Sequence, residues 1–101
     1  MNERLTVRRL IEAGRLEEAL SVYHRLELND VDGLRTQGTL LLMLKRYREA
    51  MGIYERLDGA LLKQKIAGQR ALMELAVAQW LAGDRMLAVE TAAKDVAELR
   101  N

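Results

Sequence analysis

The sequence predicts an all-α chain of about six helices, folded as three helix–turn–helix units. Three observations predict it. A motif centred on alanine occurs three times, at Ala19, Ala50 and Ala88, in steps of 31 and 38 residues. The mean step is close to the ~34-residue period of helix–turn–helix solenoids. No proline interrupts the 101 residues, so no helix interior is broken in that way. The apolar half of the composition is Leu, Ala, Met, Val and Ile, with only four aromatics, Tyr23, Tyr47, Tyr54 and Trp80, and this palette suits helices.

The expected helices span about 2–13, 15–28, 31–44, 47–60, 63–82 and 84–99. Gly14 and Gly83 close the first and fifth, because glycine tolerates the left-handed conformation that ends a helix. Asn29-Asp30 turns the chain between the first two units, and Asp30 is placed to cap the third helix. Asp84 stands in the same relation to the sixth. The residues around Gly59–Ala67 are extra between the second and third units, and the expectation is a longer loop or a longer fifth helix there. No low-complexity segment or flexible linker divides the chain, and its length suits one domain.

The motif resembles the tetratricopeptide repeat, whose pattern sets large residues and a small one on the first helix and Ala-x3-aromatic on the second. The second unit matches best, with Leu34, Gly38, Leu41, Tyr47, Ala50 and Tyr54. The first keeps Leu10, Gly14, Ala19 and Tyr23, with Val7 at the small position. The third keeps Leu72, Leu75, Ala76, Gly83 and Ala88, but Ala92 replaces the aromatic and Gln79 a large residue. The resemblance implies one domain over 1–101, a right-handed solenoid with repeats at about 1–30, 31–64 and 69–101. The alanines and Tyr23 and Tyr54 are then packing residues, since apolar stripes at helical spacing are core.

Net charge is +1 with both signs interspersed, which asks for neither nucleic acid nor a membrane surface. There is no Cys and one His, His24, so neither a disulfide framework nor an ordinary zinc site is expected. No apolar leader opens the sequence and no apolar run is long enough to span a bilayer, so a cytoplasmic protein is expected. Ser21 and His24 are three residues apart, but no orienting carboxylate or glycine-rich elbow accompanies them. No phosphate-cradling glycine loop is present. Neither an enzyme nor a cofactor is expected. Glu17-Glu18, Arg8-Arg9 and Arg46…Arg48 read as solvated faces.

In such solenoids the first helix of each pair lines the concave side. The resemblance places Met1, Arg4, Leu5, Arg8, Ile11 and Glu12 there from the first repeat. Asp32, Arg35, Thr36, Thr39, Leu42 and Met43 follow from the second, and Arg70, Met73, Glu74, Val77, Trp80 and Leu81 from the third. A carboxylate clamp of the kind many members carry lacks its Asn here. The groove is instead apolar, and the third and fifth helices are apolar nearly all round, which calls for more cover than six helices supply. The expected partner-binding residues are Leu5, Ile11, Leu42, Met43, Met73, Val77, Trp80 and Leu81, with Trp80 as anchor, and Arg4, Arg8 and Arg35 orienting the ligand.

The expected function is a non-catalytic binding module, an adaptor or chaperone holding an amphipathic helix of another protein. By size and groove character it is similar to the small repeat-fold chaperones of type III secretion needle subunits, which implies a second small helical protein as a further partner. The alternative is a self-associating assembly protein, a homodimer whose groove is buried by its own copy. A small enzyme would need polar groups converging on a pocket, and the sequence offers few.

Overall fold

The computed structural model describes residues 3–64 and 69–99. Among these residues there are six helices and no strand: α1 (Glu3–Glu12), α2 (Leu16–Leu26), α3 (Val31–Met43), α4 (Tyr47–Gln64), α5 (Leu72–Leu81) and α6 (Arg85–Leu99). Each helix packs on its neighbours in the chain. The molecule measures 42 × 31 × 19 Å, the shape of helices laid side by side in a slab.

The three pairs α1–α2, α3–α4 and α5–α6 turn alike. At Gly14, Lys45 and Gly83 the backbone is left-handed, with φ of 76°, 61° and 97°. In each turn that residue's N–H donates to a carbonyl three residues back, at Ile11, Leu42 and Trp80. The next N–H donates to a carbonyl five back, at Leu10, Leu41 and Gln79. These are the two bonds of a Schellman ending, which satisfies the last carbonyls of a helix. The turns are separated by the same 31 and 38 residues as the alanines. Gly14 and Gly83 meet the expectation, and Lys45 shows that the second turn adopts the same geometry without glycine.

Of the alanines, Ala19 and Ala50 are fully buried and Ala88 nearly so. Beside them Tyr23 and Tyr54 are buried. A Cβ on Gly38 would lie 2.5 Å from the Tyr54 ring, so the ring rests directly on the α3 backbone and only glycine fits there. Burial raises the Tyr54 phenol above its ordinary value, with a hydrogen bond to Thr39 opposing.

Of the two expectations for the middle segment, a longer fifth helix is not found, and a longer loop falls in part on residues outside those described. α4 continues to Gln64, past the expected end at 60, and α5 is short, opening at Leu72 rather than 63; residues 65–68 lie outside the described residues. Leu57 and Leu61, four apart and both buried, hold the extra turn of α4 against the core despite Gly59. The start of α5 is set from outside. Asp58 on α4 accepts the Ala71 N–H at 3.0 Å and a bidentate pair from Arg70 at 2.7 and 2.8 Å. Asp30 caps α3 as expected, accepting from the Gly33 N–H at 3.0 Å.

Candidate functional site

α5 is apolar nearly all round, and one side of it faces solvent. Leu72, Leu75, Ala76 and Gln79 point inward, while Met73, Val77, Trp80 and Leu81 are exposed. The spacing 73, 77, 80 is one helical stripe. α6 carries a second stripe at Met86, Val89, Ala93 and Val96, beside the Ala88 and Thr91 stripe buried against α5. Nine of the thirteen exposed large hydrophobic side chains among the described residues lie on these two helices, so the apolar surface is concentrated at one end of the molecule.

Between the two stripes runs a cleft of about 280 Å³, lined by Ala76, Val77, Trp80, Ala88, Val89 and Ala92. A neighbouring depression of similar size is lined by Trp80, Arg85, Met86, Val89 and Glu90. The Arg85 guanidinium lies 5.1 Å from the centre of the Trp80 ring, a cation–π contact that holds the half-exposed indole at the junction of the two.

The remaining expected site residues divide. Leu5 and Met43 are exposed, at 44% and 55%. Ile11 and Leu42, expected to face a ligand, are partly buried against the core. Arg4 bonds Asp30, Arg8 lies 3.1 Å from Glu12, and Arg35 lies 3.1 Å from Glu74; the three arginines hold the fold's own carboxylates. Arg70, expected to line the groove, is instead 88% covered, its side chain only 12% exposed, in an ion-pair cluster with Asp58 and Glu98. Met1 lies outside the described residues.

The hydrogen bonds from Arg70 hold the Asp58 carboxyl below its ordinary range, and burial opposes them. Asp58 in turn raises Arg70. Some of the charged residues read as solvated faces also form exposed ion pairs across the chain: Arg46 reaches Glu17 at 3.1 Å and also pairs with Glu49, and Arg48 faces Asp84 at 3.6 Å. The Arg46 hydrogen bond lowers Glu49.

Catalytic geometry is sparse. The Ser21 hydroxyl donates to the Glu17 carbonyl of its own helix at 3.0 Å, and His24 is exposed. Among the described residues no group of three His, Asp or Glu side chains is placed to hold a metal ion. None of their helices is long and apolar enough to cross a membrane.

The α6 stripe escaped the sequence reading, which placed the site on the first helix of each pair alone. Its signal is the 3, 4, 3 spacing of Met86, Val89, Ala93 and Val96, displaced around the helix from the stripe that Ala88 and Thr91 form. Comparison with protein-family models, with curated proteins and with solved structures returns no match.

Proposed function

We propose that this chain is a non-catalytic protein-binding module, a chaperone or adaptor that holds an amphipathic helix of a partner protein. The single observation carrying the reading is the concentration of exposed apolar side chains on α5 and α6 around Trp80. An exposed apolar patch of this kind marks an interaction site, and Trp is the residue type most enriched where truncation weakens binding. Exposed Met73 and Met86 suit the role because their thioethers adapt to differing partners. The matching Schellman turns support an architecture of three tetratricopeptide-like repeats in a right-handed solenoid, and that architecture offers grooves shaped for helices. On this reading the protein works in the cytoplasm, needs no cofactor, and is similar in kind to the small chaperones of type III secretion needle subunits.

The ligand lies along the α5–α6 face more than along a concave row of first helices, because Ile11 and Leu42 are partly buried against the core and the row's arginines already pair with carboxylates of the chain at its surface. A calorimetric titration of wild type and Trp80→Ala with an amphipathic model helix, beside thermal melts of both, tests the reading. Trp80→Ala is expected to weaken binding by about 2 kcal/mol with little change in melting. A collapsed fold would make Trp80 a core residue; unchanged fold and binding would place the ligand elsewhere.

A further inference from the structure

The three pairs serve as templates for one another, and the third departs from the other two in a consistent way. In the first pair Tyr23 is buried, and in the second Tyr54 is buried with its ring on the α3 backbone at Gly38. The residue in register in the third pair is Ala92, and there the cleft of about 280 Å³ lies open. The cleft is open to solvent and its lining is apolar or aromatic, the surroundings an incoming ring requires.

The inter-pair locks change in the same direction. Arg4 and Arg35, in register, bond Asp30 and Glu74 of the following pair; the third residue of that register is Met73. Glu17 and Arg48, in register, bond Arg46 and Asp84 of the following pair; the third is Met86. Asp58 bonds Arg70 ahead of α5; its successor is Val96. Met73, Met86 and Val96 are all exposed. Each of these positions that joins one pair to the next by charge is apolar at the α5–α6 end.

This face also continues an existing series. α3 packs against α2, and α5 against α4, so each earlier pair is covered by a following helix. The α5–α6 pair presents the equivalent surface. A second copy of this chain would cover it head-to-tail with α1, but the exposed residues of α1 are Glu3, Arg4, Arg8, Arg9 and Glu12 besides Leu5. That arrangement would set a mostly charged face against the apolar stripes of Met73, Val77 and Val89.

We infer that the cleft at Ala92 receives an aromatic side chain from an amphipathic helix of a partner protein, a helix whose buried face carries no charge. The inference rests on the helix-binding reading above and specifies its anchor. Arg85 and Glu90 at the rim meet the polar flank of that helix.

Four synthetic model helices of Ala, Lys and Gln test it, identical except for one central residue on a leucine-lined face: tyrosine, phenylalanine, leucine or alanine. Each is titrated against wild type and Ala92→Tyr by fluorescence anisotropy of a terminal label. The tyrosine and phenylalanine helices are expected to bind wild type about tenfold more tightly than the alanine helix. Ala92→Tyr, melting at or above wild type, is expected to lose that preference. Equal binding of all four helices to wild type overturns the aromatic anchor while leaving the helix-binding reading standing, and this series decides even if the variant fails to fold. Binding of none overturns both. A retained preference in folded Ala92→Tyr puts the anchor outside this cleft and overturns the inference. Sedimentation of the free protein adds the last arm: a wild-type dimer that dissociates in Ala92→Tyr assigns the cleft to a second copy and overturns the partner helix.

Discussion

Lys45 holds a left-handed backbone at φ 61°, where its two counterparts are glycines. A side chain in that conformation costs about 1–2 kcal/mol, less the extra freedom glycine brings to the unfolded chain. Lys45→Gly is therefore expected to stabilise the fold by about 0.5–1 kcal/mol, read from denaturant midpoints at constant slope. Gln79 is a second local misfit. It is buried, its Oε1 has no hydrogen-bond partner, and its counterparts are Leu10 and Leu41. A buried unsatisfied polar group costs about 1–3 kcal/mol, so Gln79→Leu is expected to raise the melting temperature. A fall would mean that the amide is satisfied by ordered water. The sequence pointed at Gln79 as an oddity, since a large apolar residue is usual there. It gave no sign at Lys45, because the conformation is imposed by the turn and the helices it joins.

At the scale of elements, Asp58 holds α4, the start of α5 and, through Arg70, the end of α6 together. Removing one partner of such a covered pair strands the other, at a cost of about 3–5 kcal/mol in well-buried cases. Asp58→Ala is expected to cost about 3 kcal/mol, because Glu98 remains for Arg70. The pH dependence has a definite sign. Asp58 is depressed in the folded state, so its contribution is fully present above the unfolded value of about 3.9 and is lost as pH falls through the folded value. Wild type is expected to lose stability below about pH 4 and Asp58→Asn to lose less over the same range; parallel acid titrations by circular dichroism compare them. Helix existence was legible from periodicity and the glycine stops. The α4–α5 boundary was not, because Asp58 and Arg70 are twelve residues apart and their pairing is a tertiary contact. Arg70 was misplaced into the groove for the same reason.

At the scale of the whole molecule, the apolar surface sits at one end, and the proposed function depends on that placement. Met73, Val77, Trp80 and Leu81 were legible as exposed candidates because α5 is apolar nearly all round. Ile11 and Leu42 share the register of Trp80 but are partly buried against the core. Register alone carries no information about which pair is left uncovered. The α6 half of the face was missed for the complementary reason, as the second helix of each pair was read as packing only. Trp80 is the sole tryptophan and stands half-exposed at the centre of the face, so its emission reports directly on cover. The deciding measurement is Trp80 emission during titration with the phenylalanine-centred helix. A saturable blue shift, absent for a scrambled helix with no apolar face, is the expected result. Binding confirmed by anisotropy with Trp80 emission unmoved would contradict the account.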